Sequence, residues 1–148
     1  MSATVFVDTS VLVYVRDATE EDKQRRAVAW MAALWEGRRG RLSYQVLQEY
    51  YVTATLKLDP PRDPDDVRED VILLRSWKPQ PVDVVTMETA WTVQDRLGLS
   101  WWDALVVAAA LQAGSRWLLT EDLQDGQDLL GVTVVDPFRH APDEILGA

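Results

Sequence analysis

At 148 residues, 47% of them hydrophobic, the chain has the length of one ordinary domain and ample material for a core. It carries 15 Lys and Arg against 24 Asp and Glu, a formal charge of −9, which argues against gripping a polyanion by bulk electrostatics alone. The lack of cysteine excludes disulfides, thiolate nucleophiles and zinc–thiolate sites, and is compatible with a reducing cytoplasm.

The segment from Met1 to Asp8 has neither the basic leader nor the long apolar stretch of a signal peptide, so a cytoplasmic location without membrane attachment is expected. Val5-Phe-Val7 is a short β-type run that stops at Asp8-Thr9-Ser10, and Val11 to Val15 resumes in an apolar pattern: strand, turn, helix, with Asp8, Thr9 or Ser10 as its cap. An amphipathic helix is predicted from Thr19 to about Trp35, opened by the capping-box pattern Thr19-Glu-Glu-Asp22 and closed near Gly37. Leu42-Ser-Tyr44 reads as a short strand and Gln45 to Leu56 as a helix on which Glu49 is flanked by inward-facing residues.

The prolines between Leu58 and Pro64 mark a loop rather than a domain boundary, and a helix follows from Asp65 to Trp77. Val82 to Val85 is a further β-type run, and a helix from about Thr86 ends at Gly98. Ser100 to Gln112 is almost wholly apolar, yet falls short of the ~20 residues that span a bilayer, so it reads as a buried helix interrupted by one carboxylate, Asp103. Trp117-Leu-Leu119 and Val132 to Val135 are the late strands, and the residues after Pro137, including the lone His140, read as a solvated polar tail. Residues 1–148 are thus expected to form a single domain with its core over about 4–137.

Strands alternating with helices define an α/β fold with a mainly parallel sheet, in which ligands bind at the carboxyl ends of the strands. Asp8 and Asp122 fall at such ends, Glu49 on a helix, and Asp103 in the first turn of the apolar helix. Each has a plain structural reading: Asp8 as a helix cap, Glu49 as a helix-surface acid, Asp122 and Asp125 as turn residues, and Asp103 as the partner of Ser100 in a capping box. Together, converging carboxylates repel unless a divalent cation sits among them, and their hard oxygens suit Mg²⁺ or Mn²⁺. Such a centre activates water and neutralises phosphate, which makes phosphodiester hydrolysis the natural chemistry. Arg25, Arg26, Arg38, Arg39 and Arg41 are candidates for a local basic track, or simply a solvated helix end. The single histidine and the absence of Gly-rich phosphate loops leave triad, nucleotide-driven and redox chemistries poorly supplied.

Four segments carry a resemblance: Val5-Phe-Val-Asp8-Thr-Ser-Val-Leu, Ser43-Tyr-Gln-Val-Leu-Gln-Glu49, Ser100-Trp-Trp-Asp103-Ala-Leu-Val-Val-Ala-Ala and Leu119-Thr-Glu-Asp122-Leu-Gln-Asp125-Gly. In order and spacing, from Val5 to about Pro137, the chain resembles PIN-domain ribonucleases of the VapC toxin type. The resemblance implies a PIN-like α/β/α sandwich, a Mg²⁺- or Mn²⁺-dependent endoribonuclease acting on RNA, a cognate VapB-like antitoxin and a homodimer. Carried over by residue, it implies an acidic quartet of Asp8, Glu49, Asp103 and Asp122, with Asp8 and Asp103 foremost as metal ligands. Ser10 and Thr120 are implied as supporting polar groups and Asp125 as an additional acid. Trp101 and Trp102 precede Asp103 and cannot both face the core, since consecutive helical residues point about 100° apart; core packing is expected ahead of a role for one of them in base stacking or in lining a dimer or antitoxin groove. Two other readings are a Mg²⁺-binding receiver-like module, for which no Lys follows a late strand, and a degenerate PIN-like interaction platform.

Overall fold

Val5, Phe6 and Val7 are completely buried, as expected of a central strand covered on both faces. In the computed structural model, which describes residues 2–147, this strand, β1 (Val5–Val7), lies between β2 (Gly40–Arg41) and β3 (Trp117–Leu119), both parallel to it. Beyond β3 lies β5 (Val132–Val135), also parallel, and at the edge β4 (Asp128–Leu129) pairs antiparallel to β5. The order is β2-β1-β3-β5-β4, so the chain leaves β1 on one side for β2 and returns on the other for β3. That change of direction opens a crevice at the carboxyl ends of β1 and β3.

Helices α1 (Thr9–Arg16), α2 (Glu21–Gly37), α3 (Tyr44–Val52) and α4 (Pro64–Leu74) pack as one group. Helices α5 (Val84–Leu97) and α6 (Trp101–Gln112) form a second, with α6 against β3 and β5, completing an α/β/α sandwich. The run Ala104 to Ala110 on α6 is buried on every side, which explains why its apolar residues show no helical stripe. Among the described residues, no helix is long and apolar enough to cross a membrane.

The first helix group is bound by one ionic node. Arg16, at the end of α1, donates from Nε and Nη2 to the two oxygens of Asp70 on α4, at 2.9 and 2.7 Å. The Tyr50 hydroxyl of α3 donates to the same carboxylate. Burial and this acid beside it push the Tyr50 phenol well above its ordinary pKa, so it remains a donor.

Several predicted elements are redrawn. The β-type run Val82–Val85 is no strand: Asp83 caps α5 through the Thr86 N–H at 3.1 Å, a local capping box that prevails over β-branched propensity. The strand predicted at Leu42–Tyr44 falls at Gly40–Arg41 instead, because Ser43 turns the chain by capping α3 at the Val46 N–H. The Thr19 capping box does not form; the Thr19 hydroxyl donates to Asp17 at 2.6 Å, and α2 begins at Glu21. Helix α3 continues through Thr53–Lys57 in a wider π turn, and α4 through Arg75–Trp77 in a tighter one.

The tail does not hang free but packs back on the fold through half-buried residues. Phe138 meets Tyr14 edge-on, the His140 carbonyl accepts from Trp30 Nε1 at 2.9 Å, and α7 (Pro142–Leu146) follows. The His140 ring lies between Asp125 at 2.8 Å and Glu144 at 3.1 Å. These carboxylates raise its pKa above the ordinary imidazole value.

Gly40 is dictated by packing, since a Cβ there would lie 2.3 Å from the Trp77 indole. Gly40→Ala is expected to cost about 1–3 kcal/mol in a urea unfolding titration, and the smaller ring of Trp77→Phe in the same chain to recover part of it.

Candidate active site

Asp8 sits where β1 ends, and its environment follows from the register that pairs Val7 with Leu119. One carboxylate oxygen accepts from the Thr9 N–H at 2.7 Å and caps α1, and the other accepts from the Thr120 hydroxyl at 2.7 Å. The Thr120 oxygen in turn accepts from the Asp122 N–H at 3.1 Å, so one fully buried threonine organises both acids. Burial pushes the Asp8 pKa up from 3.8 to about 6, against the two hydrogen bonds and with the help of the Asp122 and Glu49 charges. Asp122 is raised too, by burial, by Glu121 and by Asp103, while Asp8 and Lys23 pull the other way.

Asp103 occupies the first turn of α6, where the Ser100 hydroxyl accepts its N–H at 3.2 Å. Only this half of the predicted capping box forms, so the Asp103 carboxylate is not consumed by capping. Glu49 is exposed on α3 and accepts from Gln45 Nε2 at 2.7 Å. The same amide reaches the Trp102 carbonyl at 3.5 Å and so links α3 to the start of α6.

Like charge reaches two of the four predicted acids across the crevice: the charges of Asp122 and Glu49 act on Asp8, and that of Asp103 acts on Asp122. The four are not drawn into a tight cage, for among the described residues no three acidic or imidazole groups are close enough to hold one ion. The donor set is all oxygen and mutually repulsive, and the Ser10 hydroxyl, two residues from Asp8, is buried without a hydrogen-bond partner. These features fit a hard divalent cation that retains other oxygen ligands, and fit zinc poorly.

Other predicted residues lie elsewhere. Asp125 is committed to His140 and to the Asp136 N–H at 2.9 Å, which leaves it little capacity to serve as an extra ligand. The track Arg38-Arg39-Arg41 does not lead to the acids: the Arg39 carbonyl accepts from the Val5 N–H, at the opposite end of β1 from Asp8. The Arg39 guanidinium is spent on the Ala3 and Leu146 carbonyls at that far edge. Trp101 is half-buried, but Trp102 is 64% exposed, so core packing does not account for it.

Two contributors escaped sequence reasoning. Gln45 was detectable only as a polar residue four before Glu49, and Lys23 carried no local signal. The Lys23 amine bonds Glu121 at 2.9 Å and the Tyr14 hydroxyl at 3.3 Å, beneath the acidic loop, and lies over the Tyr14 and Phe138 rings.

A sequence-family model described as PIN domain matches residues 5–124. The chain belongs to the PIN domain family. Its fold is similar to a crystal structure of Mycobacterium tuberculosis VapC20, described as a Sarcin-Ricin loop cleaving toxin. That match has a TM-score of 0.52 and 20% identity, and covers 78% of this chain and 87% of the other. No curated protein matches the chain by sequence. The family assignment removes the receiver-like reading.

Thr120→Val deletes a hydrogen bond that stabilises ionised Asp8 at little change in shape. Carboxyl-resolved NMR titration should find the Asp8 pKa raised above its wild-type value of about 6; an unchanged midpoint would show that Thr120 does not set it.

Proposed function

We propose that this PIN-domain protein is a Mg²⁺- or Mn²⁺-dependent endoribonuclease and the toxin of a VapBC-type pair acting in the cytoplasm. The observation that supports the reading is the Asp8–Thr120–Asp122 hydrogen-bond chain where β1 and β3 end, with the charges of Glu49 and Asp103 reaching it and the Asp8 pKa raised to about 6 chiefly by burial. Carboxylates spaced in this way favour a cation that offsets their repulsion. Asp8 and Asp103 would hold the metal, with Glu49 and Asp122 completing its acidic surroundings and Ser10 and Thr120 supporting them. Bound metal would supply charge neutralisation at phosphate and a more acidic water. Thr120 fixes the Asp8 carboxylate, Gln45 fixes Glu49, and Lys23 steadies the Glu121 side of the loop.

Surfaces of the chain support the two expected protein partners. On α5, Val84, Met87 and Trp91 are exposed at helical spacing, an apolar stripe suited to a second copy of the chain. Between α3 and α4, a groove of about 700 Å³ lined by Tyr44, Leu47, Tyr51, Val52 and Ile72 suits an amphipathic antitoxin segment.

Asp8→Asn and Asp103→Asn, both near-isosteric, are expected to abolish metal-dependent cleavage of an RNA panel while circular dichroism stays native. Full cleavage by either variant would overturn the assignment. Cleavage abolished in both, together with a Mg²⁺-induced rise in Tm that Asp103→Asn removes, separates a nuclease from a PIN-like interaction platform.

The pH dependence has a definite sign. A folded carboxyl with its pKa raised from 3.8 to about 6 contributes stability below about pH 4 and loses it as pH rises through about 6. In chelator, wild type should therefore lose stability over this window relative to Asp8→Asn, by roughly 3 kcal/mol at most, and Mg²⁺ should recover more of it at neutral than at acidic pH. Assembly is read by light scattering: a dimer that Trp91→Arg converts to monomer supports the α5 interface, and a monomeric wild type rejects it.

A further inference from the structure

The cations that fail to reach the acidic crevice gather at the opposite edge of the sheet. There Arg38, Arg41 and Lys78, with Trp35, Trp77 and Gly40, line a concave site of about 460 Å³, within the size range of small-ligand pockets. Its position follows from the parallel register: Gly40 and Arg41 pair with Val5 and Phe6, whereas Asp8 lies roughly 10 Å along the strand.

The site is built rather than incidental. Trp77, 5% exposed, occupies the space a side chain at position 40 would need, and its ring lies 5.2 Å from that of Trp35 at an angle of 53°. Trp35 is 40% exposed, so indole surface is presented to solvent. Gln80 stitches the segment after Trp77 to the sheet edge by donating to the Leu42 carbonyl at 2.9 Å and accepting from the Tyr44 N–H at 3.2 Å. Arg38 and Lys78 both stand in left-handed backbone at φ 55°, a conformation uncommon for residues with side chains. Among the described residues none of Arg38, Arg41 and Lys78 forms an ion pair, although Asp and Glu outnumber Lys and Arg by 24 to 15. Arg41 uses one guanidinium nitrogen on the Gly40 carbonyl at 2.7 Å and keeps its others.

We propose that this pocket binds a segment of single-stranded RNA, with backbone phosphate held by Arg38, Arg41 and Lys78 and a base stacked on Trp35. Cations beside an open indole match both halves of a nucleotide, whereas an acidic peptide would engage the charges and leave the ring unused. The proposal rests on RNA being the substrate, and gives a chain of net negative charge a hold on it away from the acids.

The test is fluorescence anisotropy with a labelled short oligouridylate, in chelator so that cleavage is silent, across a salt series. Arg38→Asn/Lys78→Asn keeps residues that tolerate left-handed backbone. It should weaken binding at least tenfold and flatten the log–log salt dependence by about 0.7 per cation removed. Trp35→Ala should weaken binding by about fivefold or more with the salt slope unchanged. Lys57→Gln, outside the pocket, should do neither.

Wild-type binding unmoved by both pocket variants overturns the proposal, as does an oligoglutamate peptide that binds the pocket more tightly than RNA. Absence of wild-type binding overturns it as well, whatever the cleavage result. RNA bound through the pocket by a chain that cleaves nothing supports the proposal and sinks the nuclease reading. Cleavage by a chain whose binding ignores the pocket variants does the reverse.

Discussion

A three-residue strand with no solvent contact ends on an ionisable acid, and much of the molecule is arranged around that fact. Burying Val5, Phe6 and Val7 on both faces requires helices on either side and paired strands at either edge, and the chain that continues from Val7 delivers Asp8 into low dielectric. The neighbouring strand then answers with Thr120, whose hydroxyl is available because Leu119 is the residue opposite Val7. The same helix that Asp8 caps is gripped at its far end by the Arg16–Asp70–Tyr50 node, and Tyr50 is the immediate neighbour of Glu49. Two acids of the candidate site thus ride on helices whose spacing is fixed by an ionic contact remote from the crevice. Such a contact contributes geometry as much as stability, since removing one partner would strand the other.

The net charge conceals a segregation. Carboxylates collect where β1 and β3 end, and unpaired cations where β1 and β2 begin, so the two poles are separated by the length of a strand. The sum of −9 taken alone describes neither pole. In the sequence Arg38, Arg39 and Arg41 stand only as a local basic track or a solvated helix end, with no position relative to the acids. The parallel register puts them at opposite ends, and no composition statistic carries that information.

What was legible in the sequence is what depends on local pattern. The buried runs at Val5–Val7, Ser100–Gln112 and Trp117–Leu119 declared themselves by apolarity, and Ser100 and Asp8 by their capping chemistry. The misread segments are those where a local preference met a stronger partner. Val82–Val85 has β-branched residues but also Asp83 with Thr86 three residues on, and the cap prevailed. The β4–β5 hairpin escaped notice because Asp128–Leu129 is too short to show an alternation. The tail was read as solvated because Phe138 and His140 meet Tyr14, Trp30 and Asp125, contacts across long stretches of chain that leave no periodic trace. Lys23 and Gln45 belong to the same class: ordinary helix residues whose significance lies wholly in what the fold sets beside them.

The bond between the Thr120 hydroxyl and Asp8 spans 112 positions of sequence. Because β1 pairs with β3 rather than with a nearby hairpin partner, the crevice has only one wall until most of the polypeptide has been made. Synthesis supplies Asp8 first and Thr120 and Asp122 last, so the acidic set is complete only once β3 has been made. For a protein whose proposed activity would attack RNA, this order of events separates translation of the chain from the appearance of the site. A truncated product ending before Trp117 would carry Asp8, Glu49 and Asp103 without the strand that brings Thr120 and Asp122 to meet them.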